Sequence, residues 1–314
     1  MRLGKLVLSG LLIICMLAIY GCGNTDAVTN GTDEGAFTIG YSNMDINNVH
    51  FVKISDAIKD YLEPLGHNFV EINADNDSAK QISDVEDLIA QGCDAILISP
   101  VDSKGIKTAL QACVDAGIPA IIVDVLAEDV DLPSCQIATD NYLCGVQIAE
   151  YLIELSGGTA KVAIVDYSIS TTVNERIAGF MDTIADYPEI VILDQQDAIP
   201  TIDAGLELVE NYLQAHQDIT DIFCFNDLTA QGALNACKGA GRTEIRIYGV
   251  DGNTDNIQLI ANGSQIVATS AQFPAVEGKT AAEVALKILA GDSVDSYIPV
   301  SPALVNIDNA ADYL

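Results

Sequence analysis

Basic residues are scarce in this 314-residue sequence: 14 Lys and Arg stand against 45 Asp and Glu, a formal net charge of −31. Arg2 and Lys5 lie in an apolar N-terminal stretch and every acidic residue lies after it, so the remainder is more acidic still. Such a chain repels polyanions, which excludes nucleic acid and anionic lipid surfaces as partners. A neutral or cationic ligand is easier to accommodate. G-x-S-x-G, H-E-x-x-H and G-x-x-x-x-G-K are also absent, which removes the common hydrolase, zinc-peptidase and phosphate-loop readings. There is no C-x-x-C and no His/Cys pair at metal-ligand spacing, so neither a cofactor nor a metal is expected.

Long apolar runs are missing beyond the N-terminus. The one run, Leu6–Ile19, is about 14 residues, short of the roughly 20 that span a bilayer. With Arg2 and Lys5 before it, it reads as a secretory signal. It ends in Ile19-Tyr20-Gly21-Cys22, which resembles a bacterial lipobox, with Tyr20 where a small residue is usual. Residues 1–22 are thus expected to be a lipoprotein signal peptide ending at an acylated Cys22; an uncleaved anchor is the alternative. Either places the body outside the cytoplasm, tethered to the bacterial cell membrane. Residues 23–36, rich in Asn, Thr, Asp and Gly, read as a flexible tether. Six cysteines follow Cys22. Cys113, Cys144, Cys224 and Cys237 sit in apolar patterns where Cys behaves as a small hydrophobe. Core packing is the main expectation, a bridge through Cys93 or Cys135 the alternative.

The length suits two ordinary domains, and 49% hydrophobic residues suffice for large cores. Val/Ile-rich runs without alternation, such as Ala95–Ser99, Ala120–Val123, Ile222–Phe225 and Ile245–Val250, predict strands buried on both faces of a parallel sheet. Helical stripes alternate with them, as in Ile148, Leu152 and Leu155, which argues for doubly wound α/β units. A repeat sets the architecture. Ala109-Leu110-Gln111-Ala112-Cys113, closed by Ala116-Gly117, matches Ala233-Leu234-Asn235-Ala236-Cys237, closed by Ala240-Gly241. Each copy follows one apolar strand and precedes another that ends in Asp, Asp124 or Asp251. Two similar doubly wound parallel-sheet lobes account for this.

Ligands of open parallel sheets sit beyond the carboxyl ends of the strands. Those ends supply Asn48, Ser99, Asp124, Asp140-Asn141, Asn226, Asp251 and Gln272. Carboxylates accept hydroxyl hydrogens, amides donate and accept, and an Arg such as Arg176 donates a fork, a set suited to a polyol. His50 and Phe51 offer aromatic cover for a sugar face. Asp and Asn at these places also cap helices, and that reading stands beside the ligand one.

In order, Asn47-Asn48-Val49-His50-Phe51, Ile98-Ser99-Pro100-Val101-Asp102, Thr139-Asp140-Asn141, Asn174-Glu175-Arg176-Ile177-Ala178-Gly179-Phe180, Phe225-Asn226-Asp227, Gly249-Val250-Asp251-Gly252 and Ala271-Gln272-Phe273-Pro274 resemble the periplasmic sugar-binding proteins of the ribose/galactose-binding group, the solute receptors of ABC importers. The resemblance implies a three-strand hinge, with an N-terminal lobe of 37–139 plus 273–300 and a C-terminal lobe of 140–270 plus 301–314. It implies ligand positions at Asn48, His50, Phe51, Ser99, Asp124, Arg176, Asn226, Asp251 and Gln272. A ribose-type receptor has paired aromatics at His50-Phe51, Arg at Val125 and Asn at Ser99, so the expectation is the broad class, a small sugar or polyol that includes cyclitols and modified sugars, and not ribose in particular. The expected protein is a monomeric, non-enzymatic receptor that passes its ligand to an ABC permease. A receptor feeding a sensor kinase or chemoreceptor is the alternative, and an exported glycoside-acting enzyme using Asp124 and Asp251 is a more distant one.

Overall fold

Nine helices among the described residues alternate with the strands of two sheets, and each sheet is built the same way. The structure, a computed structural model, describes residues 35–314. The expected signal peptide, Cys22 and most of the expected tether lie outside the described residues. The first sheet contains β1 (Thr38–Asn43), β2 (Asn68–Asn73), β3 (Ala95–Ile98), β4 (Ala120–Val123) and β5 (Cys135–Thr139) in the order β2-β1-β3-β4-β5. The second contains β6 (Ala160–Asp166), β7 (Ile190–Asp197), β8 (Asp221–Cys224), β9 (Arg246–Asp251) and β10 (Ile266–Ala271) in the matching order β7-β6-β8-β9-β10. All these pairings are parallel. Two edge strands close the sheets: β11 (Tyr297–Val300) runs parallel to β5, and β12 (Ala303–Asn306) antiparallel to β10.

Helices cover both faces of the first sheet because its strands are apolar on both. Ala95 and Leu97 of β3 pack with α1 (Val49–Leu62) and α9 (Pro274–Leu289); Ile96 and Ile98 pack with α2 (Ser78–Ala90) and α3 (Lys107–Ala116). The repeated Ala-Leu-x-Ala-Cys segments are α3 and α7 (Asp227–Gly239), which bury Leu110 and Cys113, and Leu234 and Cys237. All six described cysteines are buried free thiols. Cys93 and Cys135 belong to separate core clusters, so no bridge joins them. The second sheet is covered by α4 (Asn141–Ser156), α5 (Thr171–Ile184), α6 (Ile202–Ala215), α7 and α8 (Thr254–Ala261).

The chain passes between sheets three times: from β5 to α4, from β10 to α9, and from β11 to β12. No helix among the described residues is long and apolar enough to cross a membrane.

One buried charge is well matched in the second sheet. Asp221 is fully buried and accepts from Arg246 Nε at 2.7 Å and Nη2 at 2.8 Å, and from Tyr248 Oη at 2.9 Å. Asp221→Ala is expected to cost about 3–5 kcal/mol, because it strands a half-buried guanidinium and a buried phenol. Urea unfolding checks this, and a midpoint unchanged from wild type would refute it.

Candidate functional site

Parallel sheets aim their strand ends one way, and here the ends of both sheets border one cavity of about 350 Å³. Asn48, His50, Phe51 and Asp124 line it from the first lobe, and Asn141, Arg176, Asn226 and Asp251 from the second, with Gln272 at a crossing. The volume fits a small ligand. The repeat-matched aspartates share a backbone peculiarity: Asp124 has φ 70° and Asp251 has φ 132°. Non-glycine residues adopt such angles at an energetic cost, and they concentrate at binding and catalytic sites.

On the first lobe, Asn48 caps α1, its Oδ1 accepting from the His50 amide at 3.0 Å. That fixes the side chain and leaves its NH2 to donate. His50 Nε2 lies 2.8 Å from Asp124 Oδ1. Burial works against a charged imidazole, but the Asp124 carboxylate overrides it and carries His50 up to about 9. His50 is therefore a cation at neutral pH, paired with Asp124. Its ring meets Phe51 edge-on, 5.4 Å between centroids. Behind the pair, on the first turn of α9, Glu277 is fully buried. The candidate ligand atoms of His50, Asp124 and Glu277 lie within 4.8 Å of one another, the one such set among the described residues.

On the second lobe the central group is Arg176. It is buried, donating from Nε to Asn141 Oδ1 and from Nη1 to the Phe225 carbonyl, each at 2.8 Å. Nη1 also lies 3.9 Å from Asp251 Oδ1. Burial pushes the Asp251 carboxyl up, and the Arg176 and His50 charges oppose this. Gln272 Nε2 donates to Asp251 Oδ1 at 2.9 Å. Asn226 caps α7 through Oδ1, which accepts from the Thr229 amide at 3.0 Å and Oγ1 at 2.8 Å. As with Asn48, capping holds the side chain and its amide nitrogen stays available. Tyr167, at the end of β6, stacks on Phe225 at 5.6 Å and 18°, an aromatic wall the sequence reading missed.

Two expected residues do not line the cavity. Ser99 is buried and its hydroxyl pairs with Tyr41 Oη at 2.8 Å, because it leaves the sheet on the α1/α9 side. Asp140 is the N-cap of α4 and accepts from the Leu143 amide at 2.9 Å. Asp227 is likewise internal: it is fully buried and accepts from the Asn253 amide and from Thr269 Oγ1.

The sequence model of the periplasmic binding protein domain matches residues 39–293. The ribose import binding protein RbsB of Bacillus subtilis is 37% identical over 271 residues, covering 86% of this chain and 87% of that protein. Two solved structures share the fold. The binding protein of the Shewanella sp. ANA-3 arabinose ABC transporter, bound to L-arabinofuranose, has a TM-score of 0.80 at 30% identity, covering 88% and 94% of the two chains. An ABC transporter solute binding protein of Bacillus halodurans C-125, with bound myo-inositol, has a TM-score of 0.82 at 25% identity, covering 90% and 98%.

Proposed function

Because the chain belongs to the periplasmic sugar-binding protein family, we propose that it captures a small sugar or polyol between its lobes and delivers it to an ABC permease. The observation that carries this reading is the facing pair of strand-end carboxylates, Asp124 and Asp251, each held at positive φ on a cavity wall. Asp124 is paired with cationic His50, and Asp251 is flanked by Arg176 and Gln272. Charged and amide groups then meet hydroxyls, while Phe51 and Tyr167 supply apolar cover. Hydrogen bonds to charged groups contribute about 1.5–3 kcal/mol each, so three or four reach the roughly 8 kcal/mol of micromolar binding.

The lobes are 37–139 plus 273–300 and 140–270 plus 301–314, and they close by rotating about the three crossing segments. Among the described residues the cavity lining holds no cation beyond His50 and Arg176, and Val125 stands beside Asp124. A neutral, hydroxyl-rich ligand of pentose or cyclitol size fits that balance. The receptor acts as a monomer, catalyses no reaction, and is held outside the cytoplasm by lipid on Cys22 after the signal peptide is removed.

Calorimetry over aldopentoses, aldohexoses, cyclitols and linear polyols tests the reading; binding of none of them below millimolar would sink it. For the ligand found, Asp124→Asn is expected to raise the dissociation constant about 10- to 100-fold, through loss of one charged acceptor.

A further inference from the structure

Glu277 is fully buried on the first turn of α9, set against the carboxyl ends of β4 and β5. Its Oε1 accepts from Thr139 Oγ1 at 2.5 Å. Its Oε2 is buried, and no hydroxyl or N–H donor reaches it. Asp124 and His50 are the groups beside it. Two carboxyls so close to one another cannot both ionise unless a cation serves each of them.

The surroundings offer one such cation. Around Glu277 stand His50 on α1, Asp124 after β4, Tyr41 on β1 and Tyr297 on β11, while Asp251 acts on His50 from across the cavity. Burial raises both tyrosines, Tyr297 to about 12, so they stay neutral. His50 is the cation, and its Nε2 is already engaged by Asp124.

We propose that Glu277 is a positioning residue of the ligand cleft: it remains a carboxylic acid at neutral pH and donates its proton from Oε2 to Asp124. Asp124 is then held between two donors, Glu277 and His50, which fixes its strained backbone and aims its remaining lone pairs at a ligand hydroxyl. The role of Asp124 toward a ligand rests on the function proposed above; the shared proton does not.

Burial, and then the Asp124 charge, push the Glu277 carboxyl up to about 8. The folded state therefore keeps a proton that the unfolded chain gives up in the ordinary carboxyl range. The linkage sign follows: this group's contribution to folding stability falls as pH rises from that range through about 8, and is flat above. Ligand affinity is steady below about 7 and falls as Glu277 ionises and repels Asp124, approaching a tenfold rise in dissociation constant per pH unit.

The deciding measurement begins without ligand. Infrared spectra of wild type at neutral pH are expected to show a protonated carboxylic acid band that titrates near pH 8 and is missing in Glu277→Gln. Asp227, a second buried acid raised to about 8, is separated with Asp227→Asn. Ligand titrations against pH come next. Glu277→Gln, whose amide donates the same hydrogen bond, is expected to keep neutral-pH affinity within about threefold and to lose the step near pH 8. Absence of the band from wild type would overturn the proposal, as would an unchanged pH profile in the variant. So would loss of wild-type affinity on adding a chelator with recovery on adding zinc, which would assign the three groups to a cation. If no sugar binds at all, the infrared arm still decides the shared proton, and only the function proposed above fails.

Discussion

Arg176→Ala is expected to raise the dissociation constant for ligand at least about 100-fold, the largest effect of any single truncation in the cleft. Three losses coincide. The guanidinium fork no longer donates to ligand. Asn141 Oδ1 and the Phe225 carbonyl lose their donors, so the wall that carries Phe225 and Asn226 loosens. Asp251 loses its nearest cation in a buried setting, and removing one partner of a buried charged pair typically costs about 3–5 kcal/mol. Arg176 and His50 oppose the burial that raises the Asp251 carboxyl, so without Arg176 it rises further. Arg176→Lys keeps the charge but not the planar fork, and falls between. Calorimetry on both variants, with an Asp251→Asn double-mutant cycle, checks the account. Near wild-type affinity in Arg176→Ala would mean the fork never meets the ligand.

What the sequence made legible follows from which signals are local. Eight of the ten parallel strands are buried along most of their length, and the half-exposed edge strands β2 and β7 still carry short apolar runs, so each announces itself; β11 and β12 do not. They are edge strands of four residues with mixed burial, and Pro299 interrupts the first. The duplication was readable because Ala-Leu-x-Ala-Cys packs one helix against one sheet in the same way twice. For Asn48 and Asn226 the capping reading holds, and the cap occupies only the oxygen, leaving the amide nitrogen free on the cavity wall. Ser99 falls outside the cavity lining because a strand end fixes where a residue lies but not which face of the sheet it leaves by. Tyr167 follows β6 directly, and a bulky aromatic there carries none of the short polar signature that marks the other strand ends. Glu277 left no signal. An acid in the first turn of a helix reads as an ordinary partner for the helix dipole, and only the tertiary contact of α9 with α1 shows that it is buried beside Asp124.

The second large effect lies outside the cavity. Gly145→Ala is expected to cost about 3 kcal/mol or more and to weaken ligand binding in the molecules that still fold. α4 and α5 cross at two glycines: a Cβ on Gly145 would stand 1.9 Å from the Arg176 carbonyl oxygen, and one on Gly179 2.0 Å from that of Tyr142. Both obstacles are backbone, so no rotamer change relieves them. The helices must part, and the turn that moves is the one bearing Arg176. Gly239→Ala provides the contrast. Gly239 is the last residue of α7 and a Cβ there meets nothing within 4 Å. Removing its backbone freedom should be neutral or stabilise by up to about 1 kcal/mol, with binding unchanged. Urea midpoints and ligand titrations on the two variants separate a general cost of altering glycine from the specific one. If Gly145→Ala folds with wild-type stability and affinity, the α4–α5 crossing is not what fixes Arg176 in the cleft.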